Sequence, residues 1–256
     1  MPAAARADPE LVWCPRHAGA RVSHVHLGAA ALTANVEADV AHACDSSSSG
    51  KLVRVIPAVV LAAGKSTRMG RAKATLPIGD RDTFLTRIIR TFHEAAVDDV
   101  VLVVGHDADA VRASVARVGL AARVVVNADY ESGQLSSLLT GLRAVNRPGV
   151  RAMLLTLVDV PLVSAATVRE VLERYRSARV PIVRPVQGER HGHPVLIDRS
   201  LFGALLGADP TRGAKSIVRA HASPAGDVEV DDEGAFLDVD TPADYARLLG
   251  QLSREP

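Results

Sequence analysis

Short aliphatic runs alternate with amphipathic segments along most of the chain. The runs predict buried strands over residues 55–62, 100–104, 124–126 and 152–158. Apolar residues at helical spacing predict helices over residues 84–96, 108–118, 135–145 and 164–177, the last with Ser164 as its N-cap. Strands that alternate with helices in this way form βαβ units, so the pattern indicates a parallel sheet.

The second half of the chain is less regular. It predicts strands over residues 181–184, 194–197 and 227–230, and helices over residues 201–206, 214–220 and 242–252. Together the elements predict a single α/β domain over residues 54–252, with a doubly wound, mostly parallel, Rossmann-like sheet and helices on both faces. Ligands of such sheets bind beyond the carboxyl ends of the strands.

Residues 1–53 lack this pattern. Three prolines and a serine run interrupt an alanine-rich stretch, so we expect a poorly ordered N-terminal extension. Both cysteines and four of the nine histidines lie here, which makes a zinc site an alternative. The pairs Cys14/His17 and His42/Cys44 do not have the spacing of a standard zinc finger.

Composition narrows the function. Hydrophobic residues make up 48% and charged residues 23% of the chain, as in globular proteins. Aromatic residues make up 3% of the chain, so side chains that could stack on bases are scarce. The net charge is +1, whereas a protein that binds nucleic acid normally needs a basic surface. Both observations disfavour a nucleic-acid partner. No apolar run approaches the roughly 18 residues that span a bilayer, and no signal-peptide pattern is present. We expect no membrane association and a cytoplasmic location.

The first predicted strand runs into a loop rich in glycine and cations, LAAGKSTRMGRAK over residues 61–73. Gly64 lets backbone N–H groups approach an anion, and four Lys and Arg side chains concentrate positive charge that suits a triphosphate. The spacing is neither GxxxxGK[ST] nor GxGxxG. Taken alone, these residues are equally compatible with an ordinary strand–helix turn whose basic side chains are solvated.

This string resembles the signature loop of the MobA-like NTP transferases, most closely that of the molybdenum cofactor cytidylyltransferases, and the resemblance covers roughly residues 55–250. It implies that Arg68 holds the triphosphate and that Lys73 neutralises charge at the α-phosphate. Cytidylyltransferases tend to have alanine at the position of Ala63, where guanylyltransferases tend to have glycine, so CTP is the implied nucleotide. The loop residues implied to bind it are Leu61, Ala62, Ala63, Gly64, Lys65 and Ser66.

A second segment, which contains Gly133, Gln134, Ser136 and Ser137, follows the third predicted strand and opens a helix. Its small and amide side chains suit either recognition of a base edge or helix capping. The resemblance implies nucleotide binding, although the family usually has a serine where Leu135 stands.

Two aspartates are candidate metal ligands. Asp159 ends the fourth predicted strand, and Asp240 precedes a helix that starts near Pro242. Mg²⁺ commonly takes one or two carboxylates together with phosphates and water. Asp240 also suits the N-cap of its helix. The resemblance favours metal, because Asp159 and Asp240 match the family's acidic pair, and it makes Asp238 the less favoured ligand.

Two further segments lie in the second half. Residues His191, Gly192 and His193 precede Pro194 and resemble the family's GHPV segment, which borders the pterin substrate. A surface turn and a zinc site are the alternatives. Lys215 follows Arg212 at the start of a predicted helix, where it suits a terminal phosphate or merely the surface. The family more often has arginine there.

Taken together, these features predict an enzyme that transfers CMP from CTP to a molybdopterin-type cofactor and releases pyrophosphate. The catalytic residues are Lys73, Arg68 and Asp159, and the cofactor is Mg²⁺ or Mn²⁺, held by Asp159 and Asp240. A molybdenum hydroxylase or its chaperone is the expected protein partner. The alternatives are another nucleotidyltransferase for a phosphate monoester, a MobA-like NAD(P)H-dependent oxidoreductase, and a non-catalytic cofactor-binding chaperone.

Overall fold

The protein is described by a computed structural model over residues 55–105 and 108–252, so the expectations for residues 1–53, including the zinc alternative, lie outside the described residues. The strands are β1 (Ala58–Ala62), β2 (Pro77–Ile78), β3 (Asp82–Thr83), β4 (Val100–Val104), β5 (Arg123–Val126), β6 (Ala152–Leu157), β7 (Ile182–Gln187), β8 (Arg190–His191), β9 (Val195–Asp198) and β10 (Asp227–Glu229). The α-helices are α1 (Phe84–Glu94), α2 (Ala108–Val118), α3 (Gln134–Val145), α4 (Ala165–Ala178), α5 (Phe202–Leu206), α6 (Gly213–His221) and α7 (Pro242–Leu252).

The main sheet has the strand order β10-β7-β9-β6-β1-β4-β5, with β8 paired to β7. Strands β6, β1, β4 and β5 are mutually parallel. Strand β9 is antiparallel to both of its neighbours, and β10 is parallel to β7. The prediction of a mostly parallel sheet in a single domain is therefore confirmed, with β9 as an antiparallel insertion.

Helices cover both faces of the sheet, which is why every residue of β1 and β4 is buried. On one face, α1 packs Leu85, Ile88 and Phe92 against the alternate side chains of the central strands. On the other face, α3 contributes Leu138 and Leu142. Gly141 of α3 is obligatory, because a Cβ there would lie 2.5 Å from a methyl group of Val59. The two cores fix the central strands and hence the loops that follow them.

Most predicted elements shift by only a few residues. Strand β1 begins at Ala58 and not at Val55, after Pro57, which has no N–H for a ladder. Helix α1 ends at Glu94, and Ala96 has a φ of 60°, which no continuing helix adopts. Ser164 caps α4 as predicted, by accepting a hydrogen bond from the N–H of Thr167. Within the described residues, no helix has the length and apolar character needed to cross a membrane.

Candidate functional site

A cavity of about 330 Å³ lies at the carboxyl ends of β1 and β6. The loop after β1, the start of α3, the end of β6 and the segment before α7 all contribute to its wall. Residues predicted from the sequence make up most of the lining, namely Leu61, Ala63, Gly64, Ser66, Arg68, Lys73, Gly133, Gln134, Ser137, Asp159 and Asp240. The sequence did not single out Thr67, Tyr130, Leu157 or Val158, which also line it.

The loop of residues 61–73 after β1, called the phosphate loop below, folds back on itself through Ser66. The Ser66 carbonyl accepts hydrogen bonds from the N–H groups of Met69 and Gly70, at 2.9 and 3.1 Å. The Ser66 hydroxyl accepts a third, at 3.1 Å, from the N–H of Lys73. Within the described ranges, no N–H of residues 64–68 donates to another backbone carbonyl. These donors border the cavity and can bind an anion.

Lys73 lies between the two predicted metal ligands. Its ammonium group donates to Asp240 Oδ1 at 2.5 Å and to Asp159 Oδ2 at 3.3 Å. Arg68 contacts the other oxygen of Asp240 at 3.0 Å. Lys73 is the least exposed of these side chains, at 11%. Residues from three distant parts of the chain therefore form one charge cluster.

Backbone contacts bring the two aspartates together. The carbonyl of Asp159 accepts a 2.9 Å hydrogen bond from the N–H of Val239, so the segment before α7 runs beside the end of β6. Helix α7 is capped by Thr241, whose hydroxyl accepts from the N–H of Asp244, while Asp244 accepts in return from Thr241. The alternative of Asp240 as the N-cap is therefore wrong, and its carboxylate is directed to Lys73.

The cluster changes the ionisation of its carboxylates. The hydrogen bond from Lys73 holds the pKa of Asp240 below its ordinary value, and Arg68 adds to this against the opposing effect of burial. Burial and the negative charge of Asp159 raise the pKa of Asp238. Oδ1 of Asp159 is buried and has no hydrogen-bond partner in the part of the chain that the structure describes. A buried carboxylate oxygen without a donor is the kind of atom that a cation satisfies.

These residues fit a divalent cation of the Mg²⁺ type. Among residues 55–105 and 108–252, no three or more His, Cys, Asp or Glu side chains form a group that could hold a metal by themselves. Asp159 and Asp240 can supply two oxygen ligands, with substrate phosphates and water as the others, as is common for Mg²⁺. A zinc site at His191 and His193 has no support in this donor set.

Asn127 organises the part of the cavity wall that the start of α3 forms. Its side-chain amide donates to the hydroxyls of Ser136 and Ser137, at 2.9 and 3.0 Å, and its carbonyl oxygen accepts from the N–H of Asp129. Asn127 is almost fully buried and directly follows β5. A polar residue at the carboxyl end of a strand was the sequence signal for this role. Ser137 lines the cavity, whereas the hydroxyl of Ser136 donates to the carbonyls of Asp129 and Gly133.

Tyr130 forms the side of the cavity near Gly105. A Cβ on Gly105 would lie 2.5 Å from the ring of Tyr130, so glycine is needed where the ring packs. Lys65 forms an ion pair with Glu131, and its ammonium group lies 5.8 Å from the centre of the Tyr130 ring. Lys65 and Ala62, both predicted to bind the nucleotide, do not line the cavity.

The predicted pterin-binding segment packs against the segment that leads to Asp240. The N–H of His193 donates to the carbonyl of Ala235 at 2.9 Å, and a Cβ on Gly192 would lie 2.5 Å from that carbonyl oxygen. Burial lowers the pKa of His193, against the opposing effect of Asp238 and Asp159. His191 is exposed on β8. None of the three residues lines the 330 Å³ cavity.

Lys215 lies on α6, which packs through Ala214, Ile217 and Val218 against the face of the core that contains α3. Its side chain is exposed and does not line the cavity. The structure therefore does not bring Lys215 to the charge cluster, and its contact with a substrate phosphate stays a prediction.

Comparison with known proteins agrees with this geometry. Residues 58–225 match the MobA-like NTP transferase domain. The chain is 34% identical to the nicotine blue oxidoreductase of Paenarthrobacter nicotinovorans, over 76% of this chain and 96% of that protein. It is 27% identical to a probable molybdenum cofactor guanylyltransferase of Mycobacterium avium, over 74% of this chain and 93% of that protein.

A solved structure gives the same result. The crystal structure of Rv0371c from Mycobacterium tuberculosis H37Rv has a TM-score of 0.66 and 34% identity, over 77% of this chain and 98% of that one. A structure of Rv0371c in complex with manganese has a TM-score of 0.62 at 33% identity, over 77% of this chain and 98% of that one. The matched domain begins with β1 and contains the phosphate loop and Asp159. The chain therefore belongs to the MobA-like NTP transferase family.

Proposed function

We propose that the protein transfers CMP from CTP to the phosphate of a molybdopterin-type cofactor and releases pyrophosphate. The observation that carries this proposal is the cluster in which Lys73 and Arg68 of the phosphate loop meet Asp159 and Asp240. A cofactor-binding chaperone has no need for paired carboxylates beside an anion-binding loop. The same cluster in an enzyme suits a triphosphate with its metal.

The chemistry needs positioning and charge compensation. An oxygen of the acceptor phosphate attacks the α-phosphorus of CTP, the new P–O bond forms in line, and the α–β phosphoanhydride bond breaks with pyrophosphate as the leaving group. Backbone N–H groups of residues 64–68 bind the β- and γ-phosphates, while Lys73 and Arg68 stabilise the charge that develops around the α-phosphorus. The phosphate nucleophile needs no general base.

Asp159 and Asp240 are the residues that would hold a divalent ion. Such an ion would supply positive charge that offsets the charge of the triphosphate and of the leaving group. Because Lys73 contacts both carboxylates in this structure, its ammonium group has to turn toward the α-phosphate when the nucleotide enters.

The choice of CTP rests on Ala63, and the choice of acceptor on the segment around His193. Ala63 is 3% exposed and lines the cavity beside Tyr130, so its methyl group narrows the space for a base. A pyrimidine needs less room than a purine. The backbone hydrogen bond from His193 to Ala235 supports this choice of acceptor, because the segment proposed to bind the pterin then lies next to the segment that leads to Asp240.

Product identification tests the proposal. The protein is incubated with each of the four NTPs, Mg²⁺ and a molybdopterin source, and the product is identified by mass. The expected product carries CMP, with one pyrophosphate released for each product formed. A guanine dinucleotide product would retain the nucleotidyltransferase but reject the CTP assignment, and no nucleotide transfer would reject both.

Oxidoreduction is a second candidate, and the 34% identity to a protein named nicotine blue oxidoreductase is the observation that favours it. The phosphate loop lacks the GxGxxG spacing of dinucleotide-binding folds. NAD(P)H titration distinguishes the two activities. Substrate-dependent loss of NAD(P)H absorbance, without pyrophosphate release from any NTP, would establish the second candidate.

A further inference from the structure

A second and larger cavity lies at the opposite edge of the sheet. Its volume is about 890 Å³, and it is formed where the chain enters β1, β4 and β6, at their amino ends, together with the last turns of α4. The basic residues that line it are all arginines, namely Arg147, Arg151, Arg176 and Arg179. The carboxylates on its wall are Asp98, Asp99 and Asp198.

Two of the three carboxylates already accept hydrogen bonds from other residues of the protein. Asp99 accepts from Arg123 at 2.9 Å and from Arg147 at 2.7 Å, so two guanidinium groups neutralise it. Asp198 accepts a 2.5 Å hydrogen bond from the hydroxyl of Tyr175 and another from the N–H of Ser200.

The remaining charges are mostly positive. In the ranges 55–105 and 108–252, the guanidinium groups of Arg151, Arg176 and Arg179 have neither a hydrogen-bond nor an ion-pair partner. Asp98 is the one lining carboxylate in the same condition. Within the described residues, the cavity therefore has three guanidinium groups without a hydrogen-bond or ion-pair partner, against two carboxylates, Asp98 and Asp198, whose charge no ion pair neutralises.

Tyr175 shows that two of these arginines converge. Burial, together with the hydrogen bond to Asp198, raises the pKa of the Tyr175 hydroxyl, and the positive charges of Arg151 and Arg179 both act against that rise. Both arginines line the same cavity as this half-buried phenol, although Arg151 immediately precedes β6 and Arg179 ends α4.

We propose that this cavity is a second binding site, for a small phosphate-bearing anion, held by the guanidinium groups of Arg151, Arg176 and Arg179. The planar fork of arginine matches phosphate in bidentate geometry, which lysine does not offer, and no lysine lines this cavity. The volume is within the range of small-molecule sites.

The surroundings set the expected affinity. Helix α4 points its carbonyl end at the cavity, and this end carries partial negative charge that opposes an anion. The negative charges of Asp98 and Asp198 oppose an anion as well. The site should therefore bind weakly, with a dissociation constant on the order of 1 mM or somewhat below, and should weaken as ionic strength rises.

The site is separate from the nucleotide cavity but connected to it by strands. Ile56 lines the second cavity just before β1, and the other end of β1 leads to the phosphate loop. Arg151 lines it just before β6, and the other end of β6 leads to Asp159. The six residues of β6 separate the two cavities by roughly 20 Å along the strand. The proposal does not depend on which nucleotide the enzyme uses.

Arginine side-chain NMR of the full chain tests the proposal, with inorganic pyrophosphate as the probe in the absence of divalent metal. Single alanine variants assign the Nε–Hε signals of Arg151, Arg176 and Arg179. We expect these signals to move with one common dissociation constant, distinct from that of the Arg68 signal. Arg174 is the matched control, because it is exposed on α4 but does not line the cavity.

Variants make the test quantitative. In Arg151→Ala/Arg179→Ala, the response of the Arg176 signal should weaken about fivefold or more, whereas the response of Arg68 should not change. The corresponding double lysine variant keeps the charge but loses the bidentate geometry of the guanidinium group. Its Arg176 response should lie between those of the wild type and the double alanine variant. Movement of the Arg68 and Arg71 signals alone, equal movement of the Arg174 signal, or no movement up to about 10 mM pyrophosphate would each overturn the proposal.

Discussion

Lys73 donates a 2.5 Å hydrogen bond to Asp240, although 167 residues separate them along the chain. The same ammonium group lies 3.3 Å from Asp159. The ammonium of Lys73 thus contacts both carboxylates that would hold a divalent cation in the proposed function. If the proposed function is right, Lys73 and a divalent cation would compete for this pair of carboxylates until a triphosphate gives the lysine another partner.

This competition predicts an unusual effect of Lys73→Met. Without nucleotide, the variant should bind Mn²⁺ about tenfold more tightly than the wild type, because a positive charge beside both carboxylates is removed. Its turnover should fall by roughly 10²–10³-fold, since the α-phosphate loses its cation. Mn²⁺ binding is measured by EPR. Arg117→Met on α2 is the control, and weaker Mn²⁺ binding in Lys73→Met would contradict the shared position.

The two aspartates should not be replaceable by their amides. Asp159→Asn and Asp240→Asn should each reduce pyrophosphate release by at least about 10²-fold, because a neutral amide is a poor ligand for Mg²⁺. Exposed Asp231 provides the matched control as Asp231→Asn, with unchanged turnover and melting temperature expected. Wild-type turnover in a folded Asp159→Asn protein would remove the metal role.

Ala63 should influence the choice of base. We expect Ala63→Gly to shift preference from CTP toward GTP, by about tenfold in the ratio of kcat/KM values, because removal of one buried methyl group makes room for a purine. Competition between the two nucleotides in a single reaction gives this ratio directly. An unchanged ratio would show that the base is recognised elsewhere in the cavity.

The contact between Tyr175 and Asp198 predicts a pH-dependent stability. Burial raises the pKa of Asp198, but the hydrogen bonds from Tyr175 and Ser200 outweigh it and hold the pKa below its ordinary value of 3.8. The stabilisation is therefore fully present above about pH 4 and is lost as the pH falls through the lowered pKa. Tyr175→Phe should cost about 1 kcal/mol at pH 6.

Melting curves of the wild type and Tyr175→Phe at pH 6 and pH 3 measure this difference. The gap between the two proteins should be smaller at pH 3 than at pH 6, because the pH has then fallen below the ordinary pKa of an Asp carboxyl, 3.8, toward the lowered pKa of Asp198. The hydroxyl of Ser177 is exposed, so Ser177→Ala serves as a surface control. A gap of equal size at both pH values would show that Tyr175 stabilises the fold by packing and not through Asp198.

Much of the fold follows from hydrophobic periodicity. The runs that became β1, β4 and β6 are long, aliphatic and buried on both faces, so their pattern has one interpretation. Strands β2, β3 and β8 have two residues each, which is too short for any period to show. The antiparallel direction of β9 depends on tertiary pairing with β6 and β7, which no local pattern encodes.

In the candidate site, too, some residues could be predicted from the local sequence and others depend on tertiary contacts. The signals for Lys73 and Asp159 were chemical and positional, because each follows a strand that enters the carboxyl edge of the sheet. Lys65 has equal charge, but whether it faces a phosphate or Glu131 depends on a loop that comes from another part of the chain. Asn127 was missed because its one signal, a polar residue directly after a strand, does not specify a role, and the role appears only when Ser136 and Ser137 lie beside it.

The central claim is that the phosphate loop and the two aspartates bind one triphosphate through one shared cation. Pulsed ³¹P ENDOR of Mn²⁺ bound with a non-hydrolysable CTP analogue tests it most directly. We expect phosphorus couplings to the nucleotide in the wild type, and their loss in both Asp159→Ala and Asp240→Ala. Phosphorus couplings that persist in either variant, or Mn²⁺ bound without any coupling to the nucleotide in the wild type, would contradict it.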